Sequence, residues 1–293
     1  MRDDNKIVHS LWIGNSLTQL ELLTLISFTT NGHLFYLWTY NEIETPLPSG
    51  VVVRDANEIL HSSKIFKYKY SNQYGHGKGS YAGFSDLFRY ALLYKFGGWW
   101  VDMDVTCLKP LDFQEPYVFR SHHELKIVGN MLKCPPFSKL MQKCFEETFF
   151  LLDEYNKDWN KPIEILNRNI IQLELETYVR SFSNQDQWRF IKKLLKEPFD
   201  VPSFYYAIHW VNEEWRRHKI NKTTVLKNSF YLEILKKYNL TYTILEGWNS
   251  SMYKFKLTNF YTSMLLLKKP KAFFKSLKYI LHYLSNKNRK IGI

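Results

Sequence analysis

Residues 96–105 read Phe96-Gly97-Gly98-Trp99-Trp100-Val101-Asp102-Met103-Asp104-Val105. The apolar residues before them recur at helical spacing and predict a helix over about residues 81–96. The glycine pair stands where a left-handed C-cap would end that helix. A short strand is expected next, and in an extended segment Asp102 and Asp104 point the same way because one residue separates them. Helix, glycine pair, strand and Asp-x-Asp together predict a site for a nucleotide and a metal ion.

The first 105 residues alternate between predicted strands and helices. The expected elements are strands over residues 6–13, 33–38 and 51–53, and a helix that Ser16 or Thr18 caps and that ends near Phe28. Such alternation predicts an α/β fold with a mostly parallel central sheet and helices on both faces. Residues 140–196 are expected to be helical and irregular.

The positive charge is concentrated near the C-terminus. The formal net charge is +12, yet residues 247–293 contain ten Lys or Arg and no Asp or Glu, while residues 1–246 contain 30 basic and 28 acidic residues. We therefore divide the chain into a main domain, residues 1–246, and a basic segment, residues 247–293. A nearly neutral main domain argues against nucleic acid as a partner.

The basic segment contains the clearest amphipathic pattern of the chain. Residues 273, 277, 280, 281 and 284 are apolar, and Lys271, Lys275 and Lys278 repeat roughly opposite them. Apolar residues on one side and lysines on the other fit a helix in a membrane interface, so residues 268–293 are expected to contact an anionic membrane. The alternative is a helix packed on the main domain with its lysines in solvent.

The expected location is the cytoplasm, with peripheral contact on the inner face of the plasma membrane. The three cysteines have no Cys-x-x-Cys spacing, which favours a reducing compartment and no zinc cluster. No apolar segment typical of a signal peptide follows Met1. No run of about 18 apolar residues is present, so no membrane-spanning helix is expected.

The Asp-x-Asp carboxylates are hard oxygen ligands of the kind that Mg²⁺ or Mn²⁺ prefers. A divalent ion held by Asp102 and Asp104 would neutralise the diphosphate of a sugar nucleotide as it departs. Asp86 and Arg89 lie one helical turn apart on the preceding helix, where they could contact a ribose hydroxyl and a phosphate. The alternatives are a solvated turn for the two aspartates and a surface ion pair of little energetic value for Asp86 and Arg89.

Two further residues are candidates for the same site. Trp12 ends the first predicted strand, where it would be either a core residue or a flat platform for a nucleobase at the carboxyl edge of the sheet. His209 lies among aromatic residues, where it would be either structural or a third metal ligand from late in the chain.

At these residues the chain resembles glycosyltransferase family 32, the sugar transferases with a DXD motif, and more distantly the catalytic domain of large clostridial glucosylating toxins. The matching blocks are residues 8–14, 82–90 and 93–105, continuing into Leu108-Lys109-Pro110-Leu111, with weaker similarity at Gly129-Asn130-Met131 and at Ala207-Ile208-His209-Trp210 with Trp215. The resemblance covers about residues 7–215 and does not extend to residues 220–293.

The resemblance implies a GT-A fold, helical insertions, and a retaining transfer from a nucleotide sugar that is usually UDP-linked. It implies these roles: Trp12, with Ile13 beside it, at the base; Asp86 at the ribose or sugar; Arg89 at the sugar or diphosphate; Asp102 at ribose and metal; Asp104 and His209 at the metal; Asn130 at the donor sugar; and Trp215 closing the site. Lys161-Pro162 and Glu214 depart from the family pattern, the first after the central region and the second just before Trp215.

The expected function is therefore transfer of a hexose, galactose as the first guess, from a UDP-sugar to a saccharide or lipid-linked saccharide in bacterial capsular polysaccharide or lipopolysaccharide synthesis, with Mn²⁺ or Mg²⁺ as cofactor. One alternative is a toxin-like or effector-like transferase that glycosylates a protein. Another is a noncatalytic basic module that binds membrane or nucleic acid. The nearly neutral main domain and the four residues Asp86, Arg89, Asp102 and Asp104 argue against the module.

Overall fold

The computed structural model describes residues 1–72 and 75–257, so the amphipathic helix expected within residues 268–293 lies outside the described residues. The strands are β1 (Ile7–Trp12), β2 (Leu34–Thr39), β3 (Val51–Asp55), β4 (Gly98–Val101), β5 (Val105–Cys107), β6 (Val118–His122), β7 (Lys126–Cys134), β8 (Val179–Arg180), β9 (Ala207–His209), β10 (Thr224–Leu226) and β11 (Thr243–Leu245). The helices are α1 (Asp3–Lys6), α2 (Gln19–Thr30), α3 (Ala82–Phe96), α4 (Lys139–Leu151), α5 (Lys161–Gln172), α6 (Trp188–Leu194), α7 (Asn212–Arg217), α8 (Phe230–Lys237) and α9 (Gly247–Lys256).

A seven-stranded sheet in the order β3-β2-β1-β4-β7-β6-β8 forms the centre of the protein. The first four strands run parallel to one another, β7 runs antiparallel to β4 and to β6, and β8 is parallel to β6. The predicted α/β class with a mostly parallel sheet is confirmed, and the arrangement is consistent with the GT-A type. A small antiparallel pair, β5 with β9, places His209 opposite Val105 and so brings a late segment beside the Asp-x-Asp turn.

The helices cover both faces of the sheet, as predicted. The adjacent residues Trp99 and Trp100 of β4 point to opposite faces, because successive side chains of a strand alternate, and both are buried. Trp99 packs in the cluster that contains Leu25 and Phe28 of α2, whereas Trp100 packs in the cluster built from α3, α4 and α5. A third cluster joins α6, α7, α8 and α9 to the outer side of α2.

The start of α2 and the end of α3 follow from local sequence. Thr18 and Glu21 form a capping box at the start of α2, so of the two predicted caps the structure uses Thr18. At the end of α3, Gly97 has φ of 64° and its N–H donates to the carbonyl of Leu93 at 2.9 Å. A Cβ at Gly97 would overlap the backbone nitrogen of Pro136, so only glycine fits both the dihedral angle and the space. Within the described residues, no helix has the length and apolar composition that a membrane crossing needs.

Candidate functional site

The carboxyl ends of β1 and β4 open into a cleft of about 980 Å³. Its walls include the segment after β4, the start of α3, the β6–β7 hairpin, residues 186–189 and α7. Eight residues predicted from the sequence line this cleft: Trp12, Ile13, Asp86, Arg89, Asp102, Asp104, Asn130 and His209. They come from distant parts of the chain, and the sheet and the β5–β9 pair bring them together.

Arg89 is the buried centre of the first charged group. Its two Nη atoms lie 2.5 Å from Asp86 Oδ1 and 2.9 Å from Asp102 Oδ1, and its guanidinium stacks 5.1 Å from the ring centre of Trp100. Gly129 allows this position, because a Cβ there would overlap Arg89 Nη1. Burial raises the pKa of Asp86 to about 6, although the charge of Arg89 opposes the shift. The pKa of Asp102 is also raised by burial.

The second charged group is centred on His209. Its Nε2 lies 3.2 Å from Asp104 Oδ2, and its Nδ1 lies 2.7 Å from Asp186 Oδ1. The backbone N–H of Asn212 also donates to Asp104 Oδ2, at 2.7 Å. Burial alone would lower the pKa of His209, but the two carboxylates outweigh it and raise that pKa to about 10. For Asp104 and Asp186, burial works against ionisation, yet the His209 charge holds both pKa values below the usual range.

The local backbone at the Asp-x-Asp sequence differs from the prediction. We expected Asp102 and Asp104 in one extended segment, but β4 ends at Val101, β5 begins at Val105, and residues 102–104 form a turn between them. The two carboxylates accordingly have different partners: Asp102 belongs to the Arg89 group and Asp104 to the His209 group. Both still line the cleft. The N–H of Asp102 donates to the carbonyl of Asn130 at 2.9 Å, and Asp104 Oδ2 accepts from the N–H of Asn212.

Sequence reasoning missed Asp186 and Arg120. Asp186 lies between β8 and α6, and Arg120, on β6, holds it with both Nη atoms, at 2.6 and 2.8 Å. Their sequence neighbourhoods contain no motif. The only signal is a polar run, Ser183-Asn184-Gln185-Asp186-Gln187, ahead of Trp188. Polar runs are typical of solvated loops, so the pattern alone does not indicate a site.

The aromatic candidates occupy different places. Trp12 is half-buried at the edge of the cleft, and its Nε1–H donates to the carbonyl of Ser16 at 3.1 Å. This hydrogen bond fixes the indole ring of Trp12 at the edge of the cleft, next to Ile13. Trp215, in contrast, does not line the cleft in this structure: it is fully buried, and its Nε1–H donates to the carbonyl of Trp210 at 2.8 Å.

A divalent metal fits this cleft only with help from a ligand. In the part of the chain that the structure describes, no three His, Cys, Asp or Glu side chains form a group that could hold a metal ion. Asp104 and His209 are in contact, however, and Mg²⁺ is commonly bound by one or two carboxylates together with substrate phosphates. A diphosphate in the cleft would supply the missing oxygens, so the residues present are compatible with a metal that binds along with a nucleotide.

The chain matches a family of proteins over part of its length. Residues 26–121 match the family described as "Glycosyltransferase sugar-binding region containing DXD motif", which supports a glycosyltransferase. The match covers less than half of the chain, and it contains Asp86, Arg89, Asp102 and Asp104 but neither Asp186 nor His209. No curated protein matches the chain in sequence.

Two solved structures show limited similarity. One, described as PaToxG glycosyltransferase, has a TM-score of 0.43 and 13% identity and covers 57% of this chain and 68% of its own. The other, a transferase mutant with two cysteine-to-serine substitutions, has a TM-score of 0.40 and 9% identity and covers 58% of this chain and 86% of its own.

We expect the His209 group to make the protein less stable to unfolding as the pH rises above neutral. The pKa of His209 is about 10 in the folded protein and about 6.5 in the unfolded chain. A raised folded pKa stabilises the protein fully below pH 6.5, and this contribution disappears as the pH rises towards 10. In EDTA, His209→Gln should therefore be less stable than wild type at pH 7 by roughly a few kcal/mol, because each unit of pKa difference corresponds to about 1.4 kcal/mol.

Urea unfolding at pH 7 and at pH 10 measures this effect. The difference in unfolding free energy between wild type and His209→Gln should shrink at pH 10, because only the wild type loses the His209 proton. Comparing the two proteins at each pH removes the contribution of other groups that titrate in this range. A difference that is equal at both pH values would contradict a charged His209 between the two carboxylates.

Proposed function

We propose that this protein is a metal-dependent, retaining glycosyltransferase that moves a hexose from a UDP-sugar to a saccharide or lipid-linked saccharide in surface polysaccharide synthesis. The observation that supports it best is the meeting of the two charged groups in one cleft. Asp86, Arg89 and Asp102 lie on one side, and Asp104 and His209 on the other. Cationic and metal-binding groups beside carboxylates suit a donor that has both a diphosphate and hydroxyl groups.

The proposed donor position follows the order of residues along the cleft. Trp12 and Ile13 would contact the base, and Asp86 and Asp102 would accept hydrogen bonds from ribose or sugar hydroxyls. Arg89 would contact the sugar or the diphosphate. Asn130 would contact the donor sugar. Asp102, Asp104 and His209 are the proposed metal residues, with Asp104 and His209 as direct ligands of Mn²⁺ or Mg²⁺. The metal, when bound, would neutralise the diphosphate as the sugar leaves.

In the proposed reaction, the bond between the anomeric carbon and the diphosphate oxygen breaks, and a bond from the acceptor oxygen to the same carbon forms. The acceptor hydroxyl attacks from the face that the diphosphate leaves, and its proton passes to the departing phosphate oxygen. Arg89, fixed by two carboxylates and by Trp100, needs no reorganisation as negative charge develops. Preorganised charge of this kind is usually the largest catalytic contribution.

Among the carboxylates that line the cleft in the described residues, Asp186 has no assigned contact with the donor or the metal, and its contacts argue against a role as a covalent nucleophile. Asp186 lines the cleft, but Arg120 binds both of its oxygens and His209 binds one of them. A carboxylate stabilised by two cationic partners is a weak nucleophile. We therefore favour attack by the acceptor itself over a glycosyl-enzyme intermediate.

Donor hydrolysis tests the proposal directly. Purified protein is incubated with a panel of UDP- and GDP-sugars and Mn²⁺, and release of nucleoside diphosphate is followed with and without EDTA. We expect UDP release from one UDP-sugar, and we expect EDTA to abolish that release. The result would also identify the sugar. If no donor is hydrolysed and calorimetry detects no Mn²⁺-dependent binding of UDP or GDP, the glycosyltransferase proposal is wrong.

We propose that the protein acts in the cytoplasm, in peripheral contact with the inner face of the plasma membrane. Cys107, Cys134 and Cys144 are all free thiols and buried, which supports a reducing compartment such as the cytoplasm. The composition of residues 268–293 supports peripheral contact with an anionic membrane, where a lipid-linked acceptor would be found.

A further inference from the structure

Arg120 does not line the cleft, yet its side chain holds two groups that do. It is 1% exposed. Its Nη1 donates to Asn130 Oδ1 at 3.2 Å and to Asp186 Oδ2 at 2.8 Å. Its Nη2 donates to Asp186 Oδ1 at 2.6 Å and to the carbonyl of Asn184. One planar guanidinium thus connects the β6–β7 hairpin to the loop before α6.

The contact with Arg120 fixes the amide of Asn130. Because a guanidinium has donors only, the atom that faces it must be the amide oxygen, and the NH₂ group must face away. Asn130 is 7% exposed and lines the cleft, and its Nδ2 has no hydrogen-bond partner in the structure. A buried donor without a partner costs stability, so its retention points to an acceptor oxygen on a ligand.

The contact with Asp186 fixes the ring of His209. Asp186 Oδ1 lies 2.7 Å from His209 Nδ1, and His209 Nε2 then lies 3.2 Å from Asp104 Oδ2. The backbone of His209 is held as well, since its N–H donates to Asn184 Oδ1 at 2.8 Å. A carboxylate on one ring nitrogen is the usual way in which a protein orients a histidine whose other nitrogen binds a metal.

We propose that Arg120 is a positioning residue that sets both ends of the cleft at once, the amide donor of Asn130 for the sugar and, through Asp186, the His209 nitrogen for the metal. This role rests on the proposed function. Arg120 suits it because only a bidentate fork can hold a carboxylate and also reach a neighbouring amide. Lysine at this position would keep the charge but lose the fork.

Binding measurements on four proteins test the role: wild type, Arg120→Lys, Asp186→Asn and Arg180→Lys. Arg180 is the matched control, because it lies opposite Arg120 in the β6–β8 pair and binds Glu115 rather than a cleft residue. Titrations measure the Kd of Mn²⁺ in the presence of UDP. They also measure the sugar preference, which is the ratio of the Kd of UDP to the Kd of the intact UDP-sugar that the protein accepts as donor. Thermal unfolding shows that each variant is folded at the temperature used.

Arg120→Lys should weaken Mn²⁺ binding by about 10- to 100-fold and should also reduce the preference for UDP-sugar over UDP. Asp186→Asn should weaken Mn²⁺ binding to a similar extent but should reduce the preference for UDP-sugar over UDP less than Arg120→Lys does. Arg180→Lys should match wild type. A role in stability alone would lower the melting temperature without changing these Kd values. If Arg120→Lys does not fold, Asp186→Asn still decides the metal part.

Two different failures can be told apart. If the wild type binds UDP with Mn²⁺ and neither Arg120→Lys nor Asp186→Asn changes that binding, Arg120 has no positioning role. If the wild type shows no Mn²⁺-dependent UDP binding, the proposed function fails, and the role of Arg120 fails with it.

Discussion

Asp104→Asn should reduce donor hydrolysis by at least about 10²-fold, the size of effect seen when one group that stabilises developing charge is removed. The substitution keeps the shape of the side chain and an oxygen for the N–H of Asn212, which now donates at 2.7 Å. It removes the negative charge with which Asp104 would bind the metal ion and replaces a strong carboxylate ligand by a weaker amide oxygen. His209 retains Asp186 as its partner, so the variant should fold.

Nucleoside diphosphate release at saturating donor and Mn²⁺ measures the effect, and far-ultraviolet circular dichroism checks the fold. The control is Asp153→Asn, which removes the same charge from an exposed position outside the cleft lining. Asp153→Asn should retain full activity. Near-normal, EDTA-sensitive release by Asp104→Asn would mean that Asp104 does not bind the metal.

Arg89→Met should destabilise the protein by about 3–5 kcal/mol, the typical cost of leaving a buried charge without its partner. The reason is that both Asp86 and Asp102 depend on this guanidinium, whose side chain is 5% exposed. Activity should also be lost, because the proposed diphosphate contact is removed. Arg180→Met is the matched control. Its ion pair with Glu115 is partly exposed, and such pairs contribute only about 0–1 kcal/mol.

The pH dependence separates charge from packing in this prediction. Asp86 has a pKa of about 6 in the folded protein even with Arg89 present, and removing the guanidinium should raise it further. A folded pKa above the unfolded value means that the folded state gains stability as the pH falls. The deficit of Arg89→Met relative to wild type should therefore be smaller at pH 5 than at pH 7 in denaturant unfolding. A deficit that is the same at both pH values would indicate lost packing against Trp100 instead.

Sequence reasoning succeeded where the determining interactions are local. The glycine that ends α3 and the placement of Asp86 and Arg89 one helical turn apart both depend on dihedral angles and spacing within a few residues. The mostly parallel sheet also followed from the alternation of strands and helices, and in the structure β1 pairs with β4. That pairing places Trp12 and the Asp-x-Asp sequence at the same edge.

Other features follow from contacts between distant segments. The antiparallel strand β7 places Asn130 in the cleft. The carbonyl of Asn130 accepts from the N–H of Asp102, at the start of the turn over residues 102–104 where we had expected extended chain. The burial of Trp215 depends on a cluster that joins α2 with α6, α7, α8 and α9. Spacing along the chain contains no information about either arrangement.

By itself, then, the sequence determined the α/β class and identified the Asp-x-Asp region as part of the candidate site. Both depend on periodicity and turn chemistry, which are set by residues close together in the chain. Only the tertiary structure decided which charges are partners. Asp102 pairs with Arg89 and Asp104 with His209, while Arg120 and Asp186, 66 residues apart in the chain, complete the second group. Buried charges are stable only when paired, and the sheet order and the β5–β9 pair set which partner is within reach.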